Sequence, residues 1–554
     1  MFNSFSEFFG HIILGEWTTT VFYVLVLFIA GSISYCLWEY SHDNYISGVF
    51  KIPGYPIVGN LFQVINNPAQ VFMKWSEVFN VSLFQIRFGS RSVVVVNSFE
   101  DVTRLWIKYS CSNNSRPVSY TFHQVVSSTR GFTVGSTPAG ESYKRKRKSI
   151  SQHLNHRAVE RSKSTLDKEV EYMINQMISR NHELSGPPSV NMFRNSKCEL
   201  ADIDMKIYFQ QFALRSSVFF AFGIHLDCFG KDSKLCNEII EVESAIMKFR
   251  SPIANLEDFL PILRYFPGKF KKAAEFRERR DRYMNKLYKT MIEGIVVGNA
   301  DAVASIVGTI KIEQDQQMNK LTEEEIQSIC LTLVSAGLDN TALNINHLMG
   351  HFSQPFYGAA LQKKAYDALL AGSNGDICQA WDDAVDVKCP YVIALVQESL
   401  RYFTVLPLGL PRITTKDIVY NGAFIPKETI LIMNAFAANH DSCVFQSPYE
   451  FIPERWLDAE TGELIDKHDL IHLSFGAGSR MCAGIQLAIN EMYTFTSRLV
   501  LYFKIKPPTC GAIMDLDPFR NNENPSATSF EPKPFKVRLE PRYSDSLYNK
   551  LRRS

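Results

Sequence analysis

The side chains best placed to do chemistry cluster near the carboxyl end, in Phe475-Gly476-Ala477-Gly478-Ser479-Arg480-Met481-Cys482-Ala483-Gly484. Glycines at 476 and 478 allow a tight loop whose backbone amides turn toward a sulfur, and such donors lower a thiol's proton affinity. Arg480, two residues ahead of Cys482, offers a fork of donors to an anionic group. Gly484 lets the following helical run, Ile485 to about Leu501, approach a flat cofactor, and Phe475 shields the sulfur. A dry thiolate ringed by amides is what haem iron asks of an axial sulfur ligand, whose electron donation favours O–O cleavage. By average residue usage, the five fixed positions of FxxGxRxCxG meet by chance in only ~10⁻⁴ of chains this long. The bland alternative for Cys482 is an inert thiol in a glycine-rich loop.

Secondary structure must place further groups around that sulfur. Glu398 and Arg401 lie in an apolar run opened by Pro390, a residue suited to a helix N-terminus, and their i,i+3 spacing puts both charges on one face. Exposed pairs of this kind are common, so the weight comes from the apolar surroundings, about 80 residues before Cys482. Thr322-Glu323-Glu324-Glu325 is a capping box, with Leu321 and Ile326 as its hydrophobic staple. The helix it starts is expected to run on through LTLVSAGLDNTALNI, with Ala336, Gly337 and Asn340 on one face and Gly337 thinning it where a ligand lies. After Tyr143, Lys144–Lys148 carries five consecutive positive charges, which alone read as a solvated helix face or a nucleic-acid or nuclear-import patch.

The cysteine decapeptide resembles the haem-binding loop of the cytochrome P450 family, of the fungal microsomal type, and the resemblance extends from the proline hinge near residue 53 to the strands near 540. It implies a mainly α fold with small β-sheets and a haem-thiolate monooxygenase carrying haem b, iron protoporphyrin IX. Cys482 becomes the axial ligand of the iron, with Arg480, Arg147, Arg412, Phe475, Gly478 and Gly484 around the haem. Arg147 stands where the family has the arginine of WxxxR, and Tyr143 replaces the tryptophan, so an aromatic hydrogen bond to haem is not assured. Glu398 and Arg401 match the family's buried pair, with Arg455 of Pro453-Glu454-Arg455-Trp456 as the third member of a structural triad that holds the cysteine loop. Ala336-Gly337-Leu338-Asp339-Asn340-Thr341 matches the oxygen-side helix: Asp339 is the acid of proton delivery, Asn340 stands where threonine is usual, and Thr341 lies one residue later, about 100° further round. His440 reads as a structural histidine. The resemblance also implies dioxygen, an NADPH-cytochrome P450 reductase and cytochrome b5 as partners, the charges of 144–148 that do not face haem being suited to docking an acidic electron donor.

Composition agrees with a folded enzyme. The 554 residues are 46% apolar and 21% charged, which excludes a disordered chain. Lys+Arg 59 against Asp+Glu 57 leaves +2, with no global case for binding nucleic acid. Eleven cysteines, an odd number without a CxxC pair, argue against a disulfide scaffold or a zinc ribbon, and most are expected to be buried small hydrophobes in a reducing compartment.

Trp17–Trp38 runs 22 residues without a charge, long enough for one helical span, with a tryptophan at each end for the interface. No Lys or Arg precedes it and Lys51 is the first to follow, which favours an uncleaved anchor with the body cytosolic. The expected organisation is a lumenal segment (1–16), a transmembrane anchor (17–38), a proline-rich hinge (39–59) and one catalytic domain (60–554), single-pass in the endoplasmic reticulum membrane.

By resemblance, the substrate pocket draws on about Tyr120–Val126, Val334–Thr341, Val405–Leu410 and Asn522–Ala527. The segment from Arg116-Pro117 through Tyr120-Thr121-Phe122-His123 to Gly135-Ser136-Thr137-Pro138 looks like the phenylacetate-hydroxylase branch, which implies a small aromatic acid. Val405, Leu406, Leu408 and Leu410 are apolar and suit lipids or sterols equally. A second class of function stays open: a haem-containing binding or sensing protein, or a non-monooxygenase haem-thiolate enzyme, as the changes at Asn340 and Tyr143 allow.

Overall fold

The valine run at 93–96 lies inside a five-stranded sheet whose order is Phe50–Lys51, Leu83–Phe88, Arg91–Val96, Ile430–Met433, Arg412–Ile413. Val93 and Val95 pack into one apolar cluster and Val94 and Val96 into another, so the strand is covered on both faces and needs no polar alternation. The antiparallel step from Ile430–Met433 to Arg412–Ile413 pairs Arg412 with Leu431 at the sheet's edge. Two smaller antiparallel sheets, Asp202–Ile203 with Val537–Pro541 and Phe503–Lys506, and the hairpin Ile418–Tyr420 with Ala423–Ile425, complete the β part. The rest is mainly helical. This computed structural model describes residues 21, 23–34, 45–185, 201–251, 255–266, 268, 270–318, 320–466, 470–542, 546–547 and 550–551.

The helices that build the site are α1 (Glu141–His153), α2 (Lys206–Phe222), α3 (Ser233–Lys248), α4 (Glu323–Gly337), α5 (Asn340–Phe352), α6 (Pro390–Phe403) and α7 (Ile485–Tyr502). The α5 helix is buried on every side from Thr341 to Phe352, and α7 from Asn490 to Tyr502. Both join α6 and α2 in one large apolar cluster. The capping box forms as its residues predict: Glu325 N–H donates to Thr322 Oγ1 at 3.2 Å and Thr322 N–H to Glu325 Oε2 at 3.1 Å.

One expectation fails here. The helix does not run unbroken through LTLVSAGLDNTALNI, because Leu338 and Asp339 form a turn between α4 and α5. A capping box marks a start, and nothing in the sequence marks this stop.

The expected anchor lies partly outside the described residues, as do the segment 1–16 and residues 39–44 of the hinge. Residue 21 and residues 23–34 are helical, with Leu27 71% and Phe28 72% exposed. Among the described residues no helix is long and apolar enough to cross a membrane.

Candidate active site

The cysteine loop is built by its glycines. Gly476 and Gly478 sit at φ +73° and +63°, a region L side chains avoid, and a Cβ on Gly478 would collide with the Trp106 carbonyl oxygen. The loop closes on itself: Cys482 N–H donates to the Phe475 carbonyl at 3.0 Å, Met481 N–H to Gly478 at 3.0 Å, and Gly476 N–H to Leu473 at 2.8 Å. Cys482 Sγ accepts the Gly484 amide at 3.3 Å and opens onto a cavity of about 430 Å³. A Cβ on Gly484 would stand 3.9 Å from that sulfur, in ordinary contact, with nothing else near it. Burial pushes the Cys482 thiol up, while the Gly484 amide and Arg147 pull it down. The amide-lowered thiol expected from the loop is thus outweighed by burial; a coordinated cation deprotonates a thiol outright and reverses that balance.

A carboxylate network holds the loop from behind. Glu398 and Arg401, both 0% exposed, join through two bonds of 2.8 Å. Glu398 also accepts Arg455 Nε at 3.1 Å, Trp456 Nε1 at 3.0 Å and the Ile452 amide at 2.9 Å. Arg401 donates to the Asn439 carbonyl at 2.9 Å. Asn439 Oδ1 in turn accepts the Leu473 amide at 2.7 Å, and its Nδ2 donates to Ser474 Oγ at 3.0 Å, directly ahead of Phe475. Trp456 and Asn439 escaped the sequence reading, since a tryptophan beside PER and an asparagine before His440 have no spacing that marks them. His440 is buried, stacked on Phe436, with Nδ1 2.8 Å from the Phe436 carbonyl oxygen.

Arginines crowd one wall. Arg480 Nε donates to the Asn114 carbonyl at 2.6 Å, while its two terminal nitrogens are buried without a partner. Its guanidinium lies 3.4 Å above the Tyr143 ring, and the Tyr143 hydroxyl donates to the Ser479 carbonyl at 3.1 Å. Tyrosine in the tryptophan's place therefore orients Arg480. Arg147 Nη2 donates to Met481 O at 2.7 Å; Arg412 donates to Asn113 Oδ1 at 3.0 Å and to the Ala477 carbonyl. Arg116, which the sequence offered only inside a longer segment, stands with them and donates to Gly135, Leu410 and Pro411 carbonyls at 2.9, 2.6 and 2.7 Å. Burial first, and then neighbouring cations (Arg412 and Arg480 for Arg116, Arg480 for Arg412), push Arg116 and Arg412 down to about 9; burial pushes Arg480 down to about 10.

The opposite wall carries the break between α4 and α5. Asp339, at the turn, is pushed up to about 7, first by burial and then by the Glu243 charge. Asn340 Nδ2 donates back to the Ala336 carbonyl at 3.2 Å, and its buried Oδ1 has no partner. Thr341 lines the cavity too, but its hydroxyl is engaged, donating to Glu491 Oε2 of α7 at 3.2 Å. Gly337 thins the helix, but toward α2: a Cβ there would meet Ser217 Oγ.

Three readings need correction. The basic run is not one solvated face, because a helix turns about 100° per residue and scatters five neighbours round its axis. Lys146 is buried on Thr137 Oγ1 at 2.8 Å and Ser328 Oγ at 3.1 Å, Arg145 pairs with Glu325 at 2.6 Å, and Lys144 and Lys148 remain exposed. The cavity wall takes Thr528 and none of Asn522–Ala527, and it adds Ser217 and Phe220 of α2, Met247 of α3 and Arg250 just beyond α3. Of the described cysteines, Cys111, Cys443 and Cys510 are exposed besides the cavity-facing Cys482, so burial is not their rule.

A flat cofactor with acid groups suits a cavity lined by the Cys482 sulfur, the unpaired Arg480 guanidinium nitrogens and residues of the Ala336–Asn340 stretch. The comparisons agree. Similar chains include the phenylacetate 2-hydroxylase of Emericella nidulans, 39% identical over 500 residues that cover 90% of this chain and 91% of the relative. Another is the 3-hydroxyphenylacetate 6-hydroxylase of the same organism, 33% identical over 519 residues, 92% and 93% of the two chains. A cytochrome P450 monooxygenase of Mycosarcoma maydis is 33% identical over 495 residues, 88% and 86%. The family profile for cytochrome P450 matches residues 51–538, nearly the whole length, and the chain belongs to this family of haem-binding monooxygenases.

Proposed function

We propose that the protein hydroxylates a small aromatic acid of the phenylacetate type, drawing two electrons from NADPH through a flavoprotein reductase. The observation that carries the substrate is the likeness, over nine-tenths of the chain, to two hydroxylases named for phenylacetate and 3-hydroxyphenylacetate. The balance is one C–H bond and one O₂ consumed with NADPH and a proton, giving C–OH, water and NADP⁺.

In this reading Cys482 supplies the sulfur to iron, and Arg480, Arg147 and Arg412 take the acid groups at the cofactor's edge, Arg480 through its two unpaired nitrogens. The chemistry haem supplies when bound there is dioxygen activation, with thiolate donation favouring O–O cleavage. Asp339, poised near neutrality, holds a proton beside the cavity and can give it up at working pH. Asn340 Oδ1 is free to accept from a water that relays it. Phe475 covers the sulfur loop, and Glu398, Arg401 and Arg455 keep that loop rigid by bonds that never enter the cavity. The apolar helix within residues 17–38 anchors the protein to the endoplasmic reticulum membrane with the catalytic body cytosolic, and Lys144 and Lys148 face an acidic electron donor, reductase or cytochrome b5.

Purified protein with reductase, NADPH and labelled O₂ should convert phenylacetate or a close analogue into a product carrying one labelled oxygen. Haem binding with NADPH consumed but no oxygen incorporated, across aromatic acids and fatty acids, would favour the binding or sensing reading. Cys482→Ala should abolish the thiolate-type spectrum of the reduced, carbon-monoxide-bound form; its retention would show that another residue ligates the iron.

A further inference from the structure

Apart from Arg480, whose terminal nitrogens are unpartnered, the buried arginines of this fold give guanidinium nitrogens to oxygen acceptors. Arg116, Arg401 and Arg412 donate to carbonyls, Arg215 pairs with Glu169 at 2.5 Å, and Arg498 reaches Asp167. Arg250 departs from this. It follows α3 by two residues, where its main-chain N–H closes the turn on the Met247 carbonyl at 3.1 Å. Its guanidinium lies 4.7 Å from the Phe122 ring centroid, its Nε is buried without a partner, and it makes no hydrogen bond or ion pair among the described residues. Its side chain lines the same cavity as Cys482 and the α4–α5 break.

The nearby acids do not close on it. Both Glu243 oxygens are taken, one by the Tyr283 hydroxyl and the other by Ser335 Oγ at 2.6 Å. Asp258 accepts the Thr121 amide at 2.7 Å, and burial favours its neutral form as it does that of Asp339. His123 brings no competing charge: burial, aided by the Arg250 cation, pushes it down to about 4. The Glu243 charge supports the Arg250 cation without touching it; a guanidinium drawn out of water with no hydrogen-bonded anion is costly, and buried charges are ordinarily paired. The cavity wall that Arg250 shares with the sulfur also has apolar lining, among it Phe220, Leu333, Ala336, Val405 and Leu406.

We propose that Arg250 is the receptor for the substrate's carboxylate, a two-pronged donor that fixes the acid end of the molecule while its apolar body lies along this wall. The assignment rests on the aromatic-acid reading above and names the residue that enforces it. A planar guanidinium matches a carboxylate with two parallel bonds, and a site built for such bonds rejects the neutral analogue.

The test is spectral titration of the haem-loaded enzyme with phenylacetate, phenylacetamide and octanoate, in wild type, Arg250→Gln and Arg250→Lys. Arg250→Gln should weaken phenylacetate about 10- to 100-fold and leave phenylacetamide nearly unchanged, with Arg250→Lys recovering part of the loss. Wild type should itself prefer the acid over the amide by about 10-fold or more, a readout that needs no variant. Equal affinities for acid and amide, or an unchanged acid affinity in Arg250→Gln, would overturn the assignment. Octanoate bound through Arg250 with phenylacetate ignored would keep the receptor and sink the aromatic substrate. No carboxylate bound at all would sink both.

Discussion

Two residues that differ by one position show how little spacing says about direction. Thr341 has the hydroxyl that the oxygen side would use, yet that hydroxyl is engaged by Glu491, while Asn340, beside it in the cavity wall, keeps an unpaired Oδ1. Asn340→Thr should raise the product formed per NADPH consumed; an unchanged ratio would show that the amide already serves. Glu491 permits a sharper test. Burial pushes its carboxyl from an ordinary 4.5 up to about 7. The folded chain therefore holds that proton where the unfolded chain has lost it, and stability falls as pH rises from about 4.5 to 7. Glu491→Gln keeps an acceptor for one hydroxyl neighbour and removes this penalty. Chemical denaturation should find the variant more stable at pH 8 by up to about 3 kcal/mol, the gap closing toward pH 4.5. A gap independent of pH would mean that Glu491 ionises normally.

Between elements, the cysteine loop depends on residues that do not look catalytic. The Cys482 decapeptide was legible because its uncommon residues sit at fixed offsets. Glu398–Arg401 was legible only in company with it, since the same pair on an exposed helix means nothing. Asn439 was invisible, yet it joins Arg401 to Leu473 and Ser474. Asn439→Ala deletes the side-chain bonds to Leu473, Ser474 and Thr404 and should cost about 2–3 kcal/mol in urea unfolding, with haem retention falling in parallel. Loss of stability with the haem fully held would show that the asparagine supports α6 alone. The helix interruption escaped for a different reason: Leu-Asp carries no breaker, and α4 and α5 both pack against α2 on either side of the turn. Arg250 escaped because a single arginine after a charged helix resembles any other until its missing partner is seen.

Across the whole chain, the mainly helical architecture and its small sheets followed from periodicity, helped by a valine run that only a doubly covered strand explains. The proposed membrane anchor rests on composition and on the exposed apolar side chains of residues 23–34. Removing residues 1–44 should release the protein from lipid vesicles while its carbon-monoxide spectrum stays intact; continued sedimentation with the vesicles would assign membrane binding to the catalytic body. The arginine wall has a consequence of its own. Arg116, Arg412 and Arg480 keep like charges close in a poorly solvated space, an electrostatic tension that works against the folded state unless anionic groups lie between them. A dianionic ligand that binds only the native form relieves that tension and adds its own binding free energy to the fold. Melting temperature and cellular yield are thereby tied to porphyrin supply, so cells starved of it should degrade the chain rather than store it.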